Sequence, residues 1–456
     1  MGKLTFVGGA SVVTGSKHLL ETDGGTRLLL DCGMFQGQSE ISDRNWTPPP
    51  VDPKSLDAIV LSHGHLDHCG YIPAIVQQGF HGPVFCTPAT IEVAGLVLRD
   101  SAHLQEDEAQ RAAKHPDRDL HKKPLYVQAD VDAACKLFSA VSYGETSTLK
   151  DVRFKFSDAG HIIGSAITEL WFDGKKLTFT GDLGRYSRPL LCDPTAIAQS
   201  DYVLTEATYG DRLHPKSDPQ DDLCAIIVRA MSRNGVLVIP AFAIGRTQEL
   251  LYAIGQLQRA NSIPTVKVYV DSPMGIEADA IMERHPESLR IDLKAKFGPG
   301  DMTIGAQNVT IAQSAQDSIK INDVKSGAIV ISSSGMANGG RVLHHLRNRL
   351  PRANDTICFV GFQSPGTLGS LLCNGTRRVR VMGVPIDVNA EITHVDGFSA
   401  HADQGELLRW FGNFTTKPKV FIVHSESAAA SAFATVVGKQ LQLQATVAKP
   451  GLSVSL

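Results

Sequence analysis

Short apolar runs alternate with glycine-containing turns over the first 206 residues of the chain. A short apolar run bounded by turn residues is typical of a buried strand, so this pattern predicts several core strands. The clearest runs span 26–31, 57–62, 177–182 and 201–206. Each ends on an acidic residue, or on a serine that leads directly into histidines. Because reactive side chains cluster where core strands end and loops begin, a functional site is expected at these ends.

Longer strand–helix units follow from about residue 207. The predicted strands of this part are 236–240, 265–271, 328–332 and 356–361. A helix is predicted to begin near Arg246, after the first of them. Strands that alternate with helices at this spacing favour a parallel, doubly wound sheet.

Near residue 385 the chain returns to short strands, and the apolar run 419–424 again ends on a histidine. Residues 91–140 have the mixed apolar and charged positions of an exposed helical region. The chain is therefore interpreted as an α/β protein in which one domain is interrupted by another. The expected boundaries are 1–206 for the first part, 207–384 for the inserted domain and 385–456 for the second part.

Composition and charge narrow the class of protein. A chain of 456 residues is long enough for two domains. The formal net charge of −3 argues against a basic nucleic-acid coat, so binding to a polyanion would need a local groove or metal ions. No apolar run is long enough to span a bilayer, and the eight scattered cysteines are typical of a reduced, cytoplasmic protein. We therefore expect a cytoplasmic protein without a membrane partner.

One cluster dominates the candidate chemistry. His63, His65, Asp67 and His68 lie within six residues, directly after a predicted strand. Imidazole combined with carboxylate selects zinc-like cations over magnesium or calcium, which prefer shells made only of oxygen. A solvated loop rarely carries three histidines and an aspartate at this spacing. The cluster therefore predicts a zinc site.

Three further residues are ambiguous when each is taken alone. His161 lies in a glycine-flanked turn, Asp182 ends a strand and His424 ends another. Together they supply what the cluster lacks, since two zinc ions need about seven ligands when one carboxylate bridges them.

These residues carry a family resemblance that covers nearly the whole chain. The sequence HGHLDH at 63–68, with Asp31 upstream and His161 and Asp182 downstream, resembles the metallo-β-lactamase superfamily. Later segments resemble its β-CASP branch, which includes the endonuclease subunit of the pre-mRNA cleavage and polyadenylation factor and its bacterial and archaeal relatives. These segments are TEATYG at 205–210, DSPM at 271–274, SSGM at 333–336 and GFSAHAD at 397–403. The resemblance implies a metallo-β-lactamase αββα sandwich with an inserted β-CASP α/β domain.

The resemblance also implies a role for each motif residue. The first zinc would be held by His63, His65 and His161, the second by Asp67, His68 and His424, and Asp182 would bridge the two. Asp31 would orient a ligand histidine without being a ligand itself. Glu206 and His401 would act in proton transfer, and Asp67 is counted as catalytic as well as a ligand.

Substrate contacts are predicted with less support from the pattern. Glycine- and serine-rich turns after the later strands can offer N–H groups to phosphates, and we name Ser334 and Ser399 there. Arg246, at a predicted helix start, is the candidate cation for a phosphate. By contrast, His345 is interpreted as an ordinary helical position, and His394 fits no family motif.

The function implied is a zinc-dependent ribonuclease that is endonucleolytic, with exonuclease activity left open. The alternatives are a DNA-processing nuclease of the same superfamily, a small-molecule metallo-hydrolase, and a non-catalytic scaffold. His424 favours RNA, because the DNA-acting branch usually has valine at this motif. Two departures from the family pattern stand out: the motif at His424 continues with Ser425, and Ser370 replaces a usual arginine. RNA is the expected partner, and a homodimer or a processing complex is left open.

Overall fold

The computed structural model describes residues 2–114, 123–290 and 304–456. The chain divides into two compact units. The first unit comprises Met1–Leu213, Glu287–Leu289 and His401–Leu456, and the second comprises His214–Pro286 and Arg290–Ala400. No helix in the described ranges has the length and apolar character needed to cross a membrane.

The first unit contains two seven-stranded sheets. The strands of one are β1 (Lys3–Gly8), β2 (Lys17–Glu21), β3 (Arg27–Leu30), β4 (Ala58–Val60), β5 (Val84–Cys86), β6 (Phe138–Ala140) and β22 (Ser453–Ser455). Their spatial order is β22-β1-β2-β3-β4-β5-β6. Pairs from β3 to β6 are parallel and the others antiparallel.

The second sheet of this unit has the spatial order β21-β20-β11-β10-β9-β8-β7. Its strands are β7 (Thr146–Leu149), β8 (Val152–Asp158), β9 (Ala166–Phe172), β10 (Lys175–Phe179), β11 (Tyr202–Glu206), β20 (Lys419–Val423) and β21 (Ala445–Val447). Alternate residues of each strand face the same side. Leu4, Phe6 and Leu30 of the first sheet therefore share one buried core with Phe154 and Leu204 of the second.

Helices cover the outer faces of both sheets. They are α1 (Ser39–Ser42), α2 (Leu66–Cys69), α3 (Ile72–Gln77), α4 (Pro88–Lys114), α5 (Gln128–Cys135), α12 (Gln404–Phe411) and α13 (Ser427–Leu441). Ile72, Ala94 and Val131 pack on the first sheet, and Trp410 and Phe433 on the second. The result is the αββα sandwich of the expected fold class.

The second unit is built on a six-stranded sheet in the order β14-β13-β15-β12-β16-β19, and all its pairs are parallel. The strands are β12 (Val236–Pro240), β13 (Lys267–Asp271), β14 (Val309–Ile311), β15 (Ala328–Ser332), β16 (Thr356–Val360) and β19 (Glu391–Val395). The helices are α6 (Pro219–Ser232), α7 (Arg246–Arg259), α8 (Pro273–Arg284), α9 (Ala315–Ile321), α10 (Val342–Arg349) and α11 (Leu368–Cys373). A separate hairpin joins β17 (Arg378–Val381) to β18 (Val384–Asp387). The predicted parallel α/β sheet is confirmed.

Two local expectations differ from the structure. Residues 385–400 were assigned to the first domain, but β19 pairs in parallel with β16, so this segment belongs to the second unit. Short apolar strands look alike in either domain, and the chain pattern does not reveal their hydrogen-bonding partner. Within 91–140, Phe138–Ala140 is an edge strand on β5 and not part of a helix. The part of that segment at 115–122 lies outside the described residues.

Candidate metal centre

Strand ends of the first unit deliver the candidate residues. Asp31 follows β3 and His63 follows β4, while Asp182 and His424 follow β10 and β20. Because β10, β11 and β20 run parallel, their carboxyl ends share one edge of the sheet. His424 lies in the left-handed region at φ 44°. Such a conformation is uncommon for histidine and requires support from its surroundings.

The loop after β4 turns sharply into α2, so its side chains point in different directions. His65 is extended and precedes the helix, whereas Asp67 and His68 lie on the helix itself. Gly64 allows the turn to pack closely, since a Cβ there would lie 2.4 Å from Cγ1 of Val93. The six residues can therefore serve two neighbouring points.

One group of ligand atoms comes from His63, His65, His161 and Asp182. His63 Nε2 lies 3.1 Å from His65 Nδ1, which lies 3.3 Å from His161 Nε2. Asp182 Oδ2 lies 3.6 Å from His63 Nε2 and 3.5 Å from His161 Nε2. All four ligand atoms lie within 4.8 Å of one another.

The second group comes from Asp67, His68 and His424. His424 Nε2 lies 3.2 Å from His68 Nε2 and 3.3 Å from Asp67 Oδ2. Asp182 Oδ2 is also 3.3 Å from His68 Nε2, and Asp182 Oδ1 is 3.5 Å from His424 Nδ1. Asp182 therefore faces both groups, as a bridging ligand must.

The spacing of these atoms fits zinc. Zinc binds nitrogen and oxygen at about 2.0–2.2 Å in a tetrahedral arrangement, which separates neighbouring ligand atoms by roughly 3.4 Å. The four separations given above for the first group are 3.1–3.6 Å. Asp182 Oδ1 is buried and receives no hydrogen bond from the described residues. An arrangement of acceptors that face one another without enough donors is stabilised by a cation at their centre.

Three of the histidines are in the neutral form that a cation requires. Burial, reinforced by neighbouring histidines, holds the pKa of His63 and His161 well below the usual value. Burial likewise lowers the pKa of His65 to about 4, against the opposing effect of Asp67. Neutral imidazoles at pH 7 keep a lone pair available for a metal ion.

Asp31 lies behind the second group and orients His68. Its Oδ2 is 2.7 Å from His68 Nδ1, which leaves Nε2 directed at Asp182. Ser62 adds a second contact, because its N–H and hydroxyl both donate to Asp31 and its Oγ lies 3.0 Å from His63 Nδ1. A carboxylate that fixes the far nitrogen of a ligand histidine is a recurrent feature of zinc sites.

His401 and Glu206 form a pair beside the centre. His401 Nδ1 lies 3.0 and 3.1 Å from the two carboxylate oxygens of Glu206. Glu206 is itself held by the backbone N–H groups of Leu183 and Thr208. The pair is brought to the site because His401 bridges to Gly184, two residues after Asp182. The His401 ring lies 4.6 Å from that of His161.

Charge determines the protonation of this pair. Burial by itself lowers the pKa of His401, but the Glu206 carboxylate, with Asp182, outweighs it and raises the pKa to about 9. A raised pKa favours the protonated imidazole near neutral pH, and Glu206 engages its Nδ1 and not its Nε2. Such a group can donate a proton.

The three substrate-contact candidates all belong to the second unit. Arg246 is buried and its Nη1 donates to Glu249 Oε2 at 2.7 Å. Ser399 is also buried, and a Cβ at Gly361 would lie within 4 Å of both residues, so the fold brings them together. Ser334 lies on a different loop, where its Oγ donates to the carbonyl of Gly339 at 3.3 Å.

Several residues that contact the buried carboxylates and histidines of the two units were missed from the sequence. Thr208 Oγ1 lies 3.3 Å from His424 Nδ1, and Ser62 contacts Asp31 and His63 as described above. His345, expected to be an ordinary helical position, is buried with its Nε2 2.7 Å from Asp271 Oδ2. Direct adjacency to His63 is a signal that could have identified Ser62. No comparable signal exists for His345, since its partner lies 74 residues away.

Three family models match the chain. A model described as a Beta-lactamase superfamily domain matches residues 26–237. The Beta-Casp domain matches 247–372. A model described as a Zn-dependent metallo-hydrolase RNA specificity domain matches 385–446.

Curated relatives match over almost the full chain. A ribonuclease of Thermus thermophilus is 34% identical over 441 residues, covering 96% of this chain and 95% of the relative. A transcription termination factor of Methanosarcina mazei is 34% identical over 462 residues, covering 97% and 70%. An RNase J-like protein of Methanocaldococcus jannaschii is 31% identical over 445 residues, covering 96% of each chain.

A solved structure shares the fold at low identity. It is a protein of unknown function from Enterococcus faecalis, with a TM-score of 0.55, 12% sequence identity and full coverage of both chains. At this identity the likeness concerns the fold alone.

Proposed function

The chain belongs to the β-CASP family of the metallo-β-lactamase superfamily, and on that premise we propose that it is a ribonuclease that hydrolyses RNA phosphodiester bonds at a two-zinc centre. The observation that carries the proposal is the convergence of His63, His65, His161 and Asp182 on one point, beside the hydrogen-bonded pair of His401 and Glu206. The relatives named as a ribonuclease and as an RNase J-like protein support RNA as the substrate.

The residues divide the chemistry between them. The two ligand groups around Asp182 would hold the ions, which when bound supply Lewis acidity that acidifies water and offsets phosphate charge. In hydrolysis the oxygen of water bonds to phosphorus while the bond to the leaving ribose oxygen breaks. His401 is suited to donate the proton which that oxygen needs, and Glu206 keeps Nδ1 occupied so that Nε2 would be the donor. Asp67 serves as a ligand on α2, beside His424.

The substrate contacts and the cellular context are further parts of the proposal. Arg246, Ser334 and Ser399 remain candidates for RNA contact, although Arg246 already binds Glu249. A cytoplasmic location is supported by eight cysteines that are all free thiols. A homodimer or an association with a processing complex would appear as a larger species in analytical ultracentrifugation.

The test is cleavage of internally labelled RNA and of DNA with the same sequence by the zinc-loaded protein. We expect internal RNA products, about two zinc ions per chain by mass spectrometry, and loss of both activity and zinc in His65→Ala. His103→Ala is the matched control, since His103 is an exposed histidine of the same unit. Cleavage of DNA alone would favour the DNA-processing alternative, and inactivity on both polymers would contradict the proposal.

A further inference from the structure

A cavity of about 430 Å³ opens in the first unit, apart from the residues assigned to the metal centre. Its walls are apolar, formed by the rings of Phe35 and Tyr71 and by the run Pro48, Pro49 and Pro50. A cavity of this size, with planar apolar walls and a few polar groups, is typical of a small-ligand site.

Lys17 lines this cavity. Its side chain is buried, and its Nζ lies 4.7 Å from the centre of the Phe35 ring and 4.8 Å from that of Tyr71. The ammonium carries three donors, and among the described residues only the carbonyl of Gly33 accepts a hydrogen bond from it. Burial lowers the pKa of Lys17 to about 8, with Cys32 opposing the change, so the group is still largely protonated at pH 7.

Arg44 provides a second cation at the rim. It is exposed, and its Cζ lies 5.7 Å from the centre of the same Phe35 ring. Of the described residues that line the cavity, none is acidic. Two positive groups without a carboxylate favour an anionic ligand, and an arginine can bind a phosphate through two parallel hydrogen bonds.

The cavity wall contacts the backbone of the candidate metal centre. Gly9, which lines the cavity, accepts a hydrogen bond at 2.5 Å from the backbone N–H of His424. Gly33, the partner of Lys17, packs against the ligand loop so closely that a Cβ there would lie 1.6 Å from the carbonyl oxygen of Asp67. One lining residue of the cavity is therefore hydrogen-bonded to the backbone of a candidate zinc ligand.

We propose that this cavity binds a nucleotide, with its base against Phe35 and the proline wall and its phosphate at Arg44 and Lys17. Bases stack on apolar planar surfaces whatever their identity, and cations bind the backbone phosphate. The proposal rests on the proposed function, because the nucleotide would belong to an RNA bound by the same protein. The same chemistry could come from a free mononucleotide, and the two sources are separated below.

The direct test is a calorimetric titration of the zinc-loaded full chain with adenosine 5′-monophosphate, adenosine and ribose 5-phosphate. Each titration is repeated with excess chelator, because phosphate could also bind at the metal centre. We expect the complete nucleotide to bind at least about tenfold more tightly than either fragment, with and without chelator. Arg44→Ala should weaken binding of the nucleotide about tenfold and leave adenosine unchanged, whereas Phe35→Leu should weaken both.

Arg153→Ala is the matched control. Arg153 is also an exposed arginine over an aromatic ring of the first unit, 4.8 Å from Trp171, but it does not line the cavity. Lys17→Met removes the buried charge and keeps the length of the side chain. Its thermal unfolding is measured alongside, so that a loss of binding with an unchanged melting temperature is assigned to the cavity.

Steady-state cleavage of RNA separates the two sources. If RNA occupies the cavity, Arg44→Ala raises KM about tenfold and leaves kcat unchanged. Nucleotide binding with an unchanged KM supports the cavity and assigns it to a free mononucleotide. Absence of nucleotide binding together with unchanged KM in Arg44→Ala and Phe35→Leu, while the wild-type protein cleaves RNA, overturns this inference and leaves the proposed function intact. Nucleotide binding by a protein that cleaves no RNA would support the cavity as a nucleotide site and contradict the proposed function.

Discussion

Each unit of the molecule places a buried carboxylate at the end of a core strand among histidines, yet the two clusters are bonded differently. In the second unit, Asp271 accepts hydrogen bonds from Ser318 Oγ at 2.6 Å and Arg341 Nη1 at 2.8 Å, and lies 2.7 Å from His345 Nε2. In the first unit, Asp182 Oδ2 faces three histidine nitrogens at 3.3–3.6 Å.

The difference shows how to separate a structural cluster from a metal site by hydrogen-bond accounting. At Asp271 each carboxylate oxygen has a donor within ordinary hydrogen-bond distance, so the cluster is complete without a ligand. At Asp182 the longer contacts and the nitrogens that face one another at 3.1–3.3 Å leave lone pairs directed at a common point. We infer that the first cluster gains its stability from cations and the second from its own donors.

The comparison is tested most severely by Asp182→Asn. An amide cannot bridge two cations and places N–H donors where lone pairs are needed, so we expect zinc to fall well below two ions per chain. RNA cleavage should fall at least about ten thousandfold, roughly 5.5 kcal/mol of transition-state stabilisation. Metal content by mass spectrometry and single-turnover cleavage measure both effects. A variant that retained zinc and activity would contradict the bridging role.

His401→Gln tests the proton donor without disturbing the ligands. Glutamine can still hydrogen-bond to Glu206, but it cannot donate a proton to a leaving oxygen. We expect kcat to fall about a thousandfold, or roughly 4 kcal/mol, with zinc content and KM unchanged. A purely structural role for the pair would instead predict an unchanged kcat in this variant, because the hydrogen bond survives.

Asp271→Asn makes the same substitution in the second cluster. Removing the charge deprives the half-buried Arg341 of its ionic partner and weakens the acceptor beside the buried His345, so we expect a loss of about 3 kcal/mol in the free energy of unfolding. Zinc content should not change. All three tryptophans, Trp46, Trp171 and Trp410, lie in the first unit. Urea unfolding followed by far-ultraviolet circular dichroism and by tryptophan fluorescence therefore reports the second unit and the first differently.

The fluorescence transition is the control for Asp271→Asn. It should move less than the circular dichroism transition, and an equal loss of zinc in this variant would show that the two clusters are not distinct in kind. Asp323→Asn, at an exposed aspartate of the same unit, should change stability by less than about 0.5 kcal/mol.

The smallest expected effect is a pH dependence of stability at Asp279. Burial raises the pKa of this carboxyl to about 7, against a hydrogen bond from Gln248 at 2.6 Å. The folded state therefore binds a proton that the unfolded state has released, and stability is lost as the pH rises from about 4 to about 7. Between pH 5 and pH 7 the expected loss is about 2 kcal/mol. It should disappear in Asp279→Asn, which keeps an oxygen for Gln248.

Urea midpoints of the wild-type protein and of Asp279→Asn, measured at pH 5 and pH 7, check this expectation. Their difference isolates Asp279 from all other titrating groups. An identical pH dependence in the two proteins would mean that the carboxyl is ionised in the folded state, and that the second unit holds a further buried charge.

Local patterns were informative wherever a few consecutive residues carried the signal. The apolar runs placed eight of nine strands within two residues of their observed bounds, and the ninth, 177–182, ends three residues beyond β10. The agreement arises because a buried strand needs a short apolar run whatever its partner. The cluster 63–68 by itself predicted a metal site. The assignments of His161, Asp182 and His424 depended on the family resemblance, since each is an ordinary residue in its own segment.

Contacts between residues that are far apart in the chain could not be predicted from such local patterns. Because β19 pairs with β16, residues 385–400 belong to the second unit and not to the first. No feature of the strand itself reveals which sheet edge it joins. His345 looked like any polar residue on a helix until the parallel sheet placed Asp271 beside it. Arg246 was proposed for a phosphate, yet Glu249 one turn along α7 already binds it.

The sequence by itself therefore determined the elements, the family and the identity of the candidate ligands, because these follow from periodicity and from residue type. Only the tertiary structure decided which atoms face one another. Parallel strands brought Asp182 and His424 to one edge, and the balance of donors and acceptors there differs from that at Asp271. The cavity at Lys17 depends on the same kind of information, since Phe35, Arg44 and Tyr71 become neighbours only when the sheet and its loops close around them.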